Sequence, residues 1–388
     1  METKNKPETT GTNDDASIMG SKENILLIQL FSNGDCLFAT TIAKQIKNDY
    51  PNCSLTWAIS AKCKSILINN PHVDTVLEVE IFDPSQNLIV FENTVKEANE
   101  KLNCGVYTQV FVSQILGDNM ANYDGVVCTS IFRNFGKPVT VGTTPVLHLT
   151  DNEIYRAKEF ATAHMLQNYE HVVLFECAPQ TNQIKLTDEI ILEYALQILQ
   201  QKNTCIILSA PKVYNYNHPH IINGNSLSIR ETVALTHYCT ILLGCSSGIS
   251  WAATSTAAKQ LPMVQILSEG AYYFNPLSLT FKKLGKNTDQ FLDLLQFNGN
   301  KLGNVFSDIF NLGFDNARMQ HTQTVKKQFR LYRGIIYNFL RKKKISSVAK
   351  FITINFKENG LNLSMINYML LGFILFPFQY IKDIIKKN

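Results

Sequence analysis

The feature of this sequence that most limits its fold is a repeated alternation of short apolar runs with longer amphipathic ones. The runs Ile25–Phe31, Leu55–Ile59, Val73–Val79 and Val106–Ser113 have the length and apolar content of buried strands, and Cys36–Asp49 carries a helical pattern after the first. The pattern restarts with strand His171–Glu176, helix Asp188–Gln201, strand Thr204–Ser209 and helix Ile229–Tyr238. It continues with strand Thr240–Leu243, helix Gly248–Ala257 and strand Met263–Leu267. Strands alternating with helices build a parallel sheet wrapped by helices. Two such series predict an α/β chain of two successive units, with a cleft between them.

Length agrees, since 388 residues exceed one ordinary core and fit two. The apolar fraction of 45% and charged fraction of 18% are those of a globular chain. Residues 1–23 are polar and aperiodic and are expected to form a disordered tail. Residues 24–150 then make the first domain and 151–320 the second, with the helical segment Thr150–Asn168 at the join, and 321–388 form a basic and apolar tail. The nine cysteines show no CxxC pair and read as reduced core residues. No apolar stretch follows a basic start at the N-terminus, so a cytoplasmic location is expected. The net charge of +4 is small, and no nucleic-acid partner is expected.

Two strand-to-helix junctions could carry chemistry. In the first, the run from Ile25 breaks at Asn33-Gly34 into a helix starting near Asp35. Ligands of open α/β sheets bind at the carboxyl ends of strands. There Gly34 could free the turn, and Asp35 could accept a proton from a hydroxyl or simply cap its helix. In the second, Ile241-Leu-Leu-Gly244 leads through Cys245, Ser246, Ser247 and Gly248 into another helix. Small residues and a helix N-terminus can seat a diphosphate, or can merely form a tight packed turn. Between the junctions, Lys185 lies in a polar loop after Phe175-Glu176-Cys177, a setting in which solvated lysines are common. His218-Pro219-His220 lacks further ligands at recognisable spacing, and no Asp-X-Asp occurs, so no metal is expected. The absence of GxGxxG after the first strand and of a Walker motif argues against a dinucleotide oxidoreductase and a P-loop NTPase.

The spaced features from Ile25 to Val79 resemble the opening of the heptosyltransferase-like enzymes, glycosyltransferase family 9 of the lipopolysaccharide type. They are the Gly34-Asp35 turn, a helix through Thr40, Tyr50-Pro51, Leu55-Thr56-Trp57 and Asn70-Pro71-His72-Val73-Asp74. Ser247 and Gly248, with the preceding Leu227–Leu235 helix, resemble the family's donor-binding segment; Ser246, Ile249 and Trp251 stand where the family usually has Asp, Pro and His. The resemblance implies an α/β fold of two Rossmann-like domains facing across a cleft (GT-B type), with a helical C-terminal tail, and an inverting, metal-independent transfer of a heptose or other hexose-like sugar. It makes Asp35 the catalytic base, with Asn33 and Gly34 on the acceptor-side turn. It places Lys185, Gly244, Ser246, Ser247 and Gly248 on the donor. It implies a nucleotide-sugar co-substrate, ADP-linked donors among them, no other cofactor, and a lipid-linked glycan acceptor such as lipopolysaccharide. The alternatives are a non-catalytic protein of the same fold docking through its basic tail, and a sugar-nucleotide epimerase of related fold.

The tail carries Phe329, Tyr332, Ile335, Ile336, Phe339 and Leu340 at helical spacing beside Arg330, Arg333 and Arg341–Lys344. Such a helix can lie on an anionic bilayer or pack on the body with a solvated basic face. Met365–Tyr380 is strongly apolar but short of the ~20 residues a spanning helix needs. Peripheral contact, at the inner face of the plasma membrane, is therefore expected rather than crossing.

Overall fold

The computed structural model describes residues 23–179, 184–271, 274–295 and 297–385. The tail expected over 1–23 lies, Glu23 apart, outside the described residues. The first unit runs β1 (Asn24–Ile28), α1 (Asn33–Asp49), β2 (Ser54–Ser60), β3 (Thr75–Val79), α2 (Asn87–Asn103), β4 (Gln109–Val112) and α3 (Val127–Phe135). Its sheet is parallel in the order β3-β2-β1-β4, with Leu26 between Thr56 and Val110. A strand with neighbours on both sides and helices above and below must be aliphatic throughout. Residues 25–28 of β1 are accordingly buried, while Val76 and Leu77 on the edge strand β3 are exposed.

The second unit opens with α4 (Asp151–Ala163), started by a capping box between Thr150 and Glu153. It continues with β5 (His171–Glu176), α5 (Asp188–Ile198), β6 (Thr204–Ser209), β7 (Ile221–Asn223), α6 (Ile229–Leu235) and β8 (Ile241–Gly244). Then follow α7 (Gly248–Ala252), β9 (Met263–Ile266), α8 (Leu277–Lys283), β10 (Phe291–Leu294), α9 (Gly299–Leu312) and α10 (Phe314–His321). The six strands are parallel in the order β10-β9-β8-β5-β6-β7. Strands β7 and β10, of three and four residues, are additions to the predicted strands and form the two edges of the sheet.

The units are joined by a shared interior. One buried cluster includes Leu27 and Ile42 of the first unit and Leu235 and Leu242 of the second. Arg230 of α6, 2% exposed, forms an ion pair with Glu153 at 2.6 Å and donates to Ser65 O of the first unit at 3.2 Å and to His148 O. At the chain crossing, Val146 N donates to Thr40 Oγ1 in α1 at 2.8 Å, and the next residue, Leu147, donates its N–H to Thr256 Oγ1 in the second unit at 3.0 Å.

The C-terminal helices α11 (Arg330–Arg341), α12 (Ile345–Asn359) and α13 (Leu363–Ile385) return to the first unit. Phe329, Tyr332, Ile335, Ile336 and Phe339 are buried against Ala121, Tyr123 and the two later helices, so this stripe serves packing and is not free for a bilayer. Asn355 secures the return by donating to Tyr123 O at 2.9 Å while its Oδ1 accepts from Tyr332. The basic residues pair with the body as well: Lys342 with Glu92 at 3.0 Å and Lys344 with Asp118 at 2.5 Å. Helix α13 packs closely on α11, where a β-carbon on Gly372 would sit 3.0 Å from Arg333 O. Its outer face leaves Leu363, Leu370, Phe373, Ile374 and Phe378 exposed. Among the described residues no helix is long and apolar enough to cross a membrane; Lys386 and Lys387 lie outside them.

Candidate active site in the cleft

The turn from β1 into α1 reaches its geometry through Ser32, whose φ is 66°, not through Gly34. Gly34 instead lies in the first helical turn, where a β-carbon would touch Trp251 Cδ1 of α7 at 3.4 Å. Its small size serves the approach of the two units, a correction to the expectation that it frees the turn. Asp35 is likewise not the helix cap: Ser32 holds that position, and Asp35 stands in the first turn that follows it. Asn33 lines the cleft with its Oδ1 buried and without a hydrogen-bond partner among the described residues, an arrangement that native interiors seldom leave unused.

Between the units lies a cavity of about 1130 Å³. The first unit contributes Phe31–Asp35, Lys62, Cys63 and Gln114, the second contributes Glu176, Ser209, Asn225, Ser228, Ser247, Gly248 and Trp251, and α11 adds Ile335, Phe339 and Arg341. Asp35 is half-buried in its wall, and none of the described hydrogen bonds or ion pairs reaches its carboxylate. Desolvation, with a smaller contribution from the neighbouring Cys63 charge, raises its pKa to about 7. A carboxyl group poised there can take a proton from a substrate near neutral pH, provided it is ionised.

The second turn has the same backbone device, Ser246 at φ 59°, but a different electrostatic outcome. Its donors are already engaged by Glu176 at the end of β5, 2% exposed. The carboxylate accepts from the N–H groups of Cys245 at 2.9 Å, Ser247 at 3.4 Å, Ile249 at 2.9 Å and Ser250 at 3.2 Å. It also accepts from Ser247 Oγ at 2.7 Å and Ser250 Oγ at 2.5 Å. The positive end of this short helix is thus neutralised by the chain's own anion.

The remaining expected donor residues divide. Ser247 and Gly248 line the cavity, and a β-carbon on Gly248 would come within 3.9 Å of Asn33 Cβ, so the two strand ends do face each other. Ser246 turns away: its hydroxyl donates to Asn275 O at 2.5 Å, and it does not line the cavity. Gly244 is needed for packing, because a β-carbon there would overlap Ser250 Oγ at 2.3 Å. Lys185 is exposed and does not line the cavity, while residues 180–183 of its loop lie outside the described residues. Trp251, one of the departures from the family pattern, packs edge-on against Phe38 with ring centroids 4.4 Å apart and donates from Nε1 to Ser246 O at 3.2 Å.

Sequence reasoning missed Glu176, Gln114 and Cys63. Gln114 Oε1 accepts from Leu30 N at 3.0 Å and Phe31 N at 2.9 Å, and so fixes the chain entering the first turn. Glu176 had a visible signal, a lone carboxylate at the carboxyl end of an otherwise apolar strand. The rings of His218 and His220 meet edge-on with centroids 5.6 Å apart, and among the described residues no group of three or more His, Cys, Asp or Glu is placed to hold a metal.

No family model matches the sequence, and no curated protein does so either. The fold is similar to solved structures. A glycosyl transferase of family 9 from Veillonella parvula superposes with a TM-score of 0.52 at 13% identity, covering 77% of this chain and 97% of that one. The E. coli ADP-heptose lps heptosyltransferase II gives 0.48 at 13% identity, over 76% of this chain and 99% of that one. An E. coli heptosyltransferase solved with ADP-2-deoxy-2-fluoro heptose gives 0.46 at 15%, over 74% and 99%. The Veillonella likeness supports the architecture of two parallel sheets.

Proposed function

We propose that this chain is a glycosyltransferase that moves a sugar, a heptose or a related hexose, from a nucleotide diphosphate onto an acceptor hydroxyl. The observation that carries the reading is the unpaired Asp35 carboxylate, raised to about 7 in the wall of a cavity built from both sheets. In this scheme Asp35 withdraws the acceptor proton as the oxygen attacks the anomeric carbon, and the configuration there inverts. The donor lies against the second unit with its diphosphate over Ser247 and Gly248; Glu176 keeps that turn rigid rather than binding the donor. No step requires a metal, and Lys185 assists only if its loop folds over the leaving group. The acceptor enters from the first unit, where Asn33 offers a free acceptor atom for a sugar hydroxyl. The exposed apolar face of α13 suits peripheral contact with a membrane that carries a lipid-linked glycan.

A specific observation favours the rival of a non-catalytic protein: Glu176 already occupies the donors that a phosphate would use. One experiment separates the two. Purified protein is incubated with a panel of nucleotide sugars, ADP-linked ones included, and nucleotide diphosphate release is measured with a glycolipid extract as acceptor. Release that falls by ~10²–10⁴ in Asp35→Asn, with an inverted product by NMR, supports the proposal. Release unchanged in that variant removes Asp35 as base, and no stabilisation by any nucleotide sugar in a melting assay supports the rival.

A further inference from the structure

Helix α11 closes one side of the cavity with a single face. Leu331, Gly334, Ile335, Asn338, Phe339 and Lys342 line it, and their spacing of three and four residues puts them on one stripe. Phe31, Ile115, Met120 and Val127 of the first unit, all half-buried, line it as well, and the last three pack against the cluster that holds Leu331, Ile335 and Phe339. This part of the wall is apolar, whereas Asn33, Asp35, Glu176 and Ser247 make the wall at the two facing turns polar. A sugar and a diphosphate have no use for the apolar part, and the cavity's 1130 Å³ exceeds the ~300–1,000 Å³ of a pocket for one drug-sized ligand.

Gly334 shows that the apolar part is space kept open. It lies inside α11, where glycine is disfavoured against alanine, and a β-carbon there would meet nothing within 4 Å. Neither a positive φ nor a close neighbour calls for glycine at this position, so what it provides is room. Cations border the same cavity. Lys62 and Arg341 line it with exposed side chains that none of the described ion pairs engages. Tyr337 of α11 meets Phe376 of α13 with ring centroids 6.1 Å apart, which sets the exposed Ile374 and Phe378 beside the end of α11 that carries Arg341.

We propose that the space under α11 is an arm of the cavity that takes the hydrocarbon chain of the acceptor, a lipid whose chain ends in a phosphate. The chain covers the apolar face of α11 and the residues around Met120, and burial of that surface supplies the affinity. Lys62 and Arg341 offset the charge of the phosphate, and the glycan beyond it reaches the polar wall at Asp35. That the lipid is the acceptor rests on the transfer proposed above; that it binds does not.

The test uses the full chain with no nucleotide sugar present. Ethyl, octyl, dodecyl and farnesyl phosphate, each below its micellar concentration, are titrated into the protein by calorimetry. Affinity is expected to rise with chain length, by up to about fourfold per methylene that enters the arm. Gly334→Leu fills the arm from an unobstructed position and should weaken dodecyl phosphate at least about tenfold, with Gly334→Ala intermediate. Both put a better helix former inside α11, so both should fold. Arg341→Ala should weaken dodecyl phosphate by about 2–5-fold and leave dodecanol unchanged. Tighter binding of farnesyl than of dodecyl phosphate identifies a prenyl chain and the reverse an acyl chain, and either supports the arm. Equal affinity for ethyl and dodecyl phosphate overturns it. So does dodecyl phosphate binding that Gly334→Leu leaves intact, which would place the chain on the exposed face of α13. A protein that binds dodecyl phosphate in this way and yet releases nucleotide from no sugar keeps the arm and loses the transfer, so the two fail separately.

Discussion

The two strand-to-helix turns that face each other across the cleft are built alike and charged differently. Each follows an apolar central strand, passes a serine at positive φ, Ser32 at 66° or Ser246 at 59°, and opens a helix. At the second turn the carboxylate of Glu176 arrives from the neighbouring strand and gathers four N–H groups and two hydroxyls. At the first, Asp35 comes from the first turn of the helix itself, and none of the described hydrogen bonds reaches its carboxylate. One fold unit therefore yields a structural anion where donors converge on the carboxylate and a titrating one where they do not.

Substitutions can break this contrast. The largest effect on stability is expected from Glu176→Ala, which strands several buried donors at once and should cost at least about 3 kcal/mol in denaturant unfolding. Glu176→Gln should fall between, because an amide keeps one acceptor oxygen and turns an NH₂ toward other donors. An unfolding free energy unchanged in both would remove Glu176 from its structural role.

Asp35→Asn should act in the opposite sense. The folded pKa of about 7 lies above the ordinary 3.8, so the native state holds the proton more tightly than the unfolded chain. Wild-type stability from this group is complete below pH ~4, declines as pH rises towards about 7 and is level beyond. The variant escapes that loss and should be more stable than wild type by ~2–4 kcal/mol above pH 7, with the two converging near pH 4. Parallel pH profiles for the two proteins would contradict a raised Asp35. Transfer by the wild type, requiring the ionised form, should rise with pH through about 7.

The smallest effect should come from Lys185→Ala. An exposed side chain off the cavity wall is expected to change stability by less than ~0.5 kcal/mol and to leave nucleotide-sugar affinity unaltered. A tenfold weaker donor affinity would show instead that its loop closes over the ligand.

How much of this was legible in the sequence follows from how local each signal is. Strands β1 and β5 were readable because a central parallel strand is buried on both faces and must be continuously aliphatic. The facing of Asn33 and Gly248 followed from the rule that strand ends of open sheets meet at the cleft. The role of Glu176 was not legible, since its partners are about seventy residues further along and converge only when β5 and β8 pair. Trp251 reads as a departure when compared position by position, whereas in three dimensions it fills the seam against Phe38 and Gly34. The basic stretch at the tail misleads for the same reason: the acids that pair with Lys342 and Lys344 are some 230 to 250 residues earlier.

That return of the tail also sets how the cleft can open. The polypeptide passes between lobes twice, at Val146-Leu147 and again between His321 and Arg330. Two tethers define an axis, and only rotation about the line joining them leaves both unstretched. Any relative movement of the two lobes is therefore confined to a door-like swing with a covalent pivot, whose two ends lie at passages remote from Asp35.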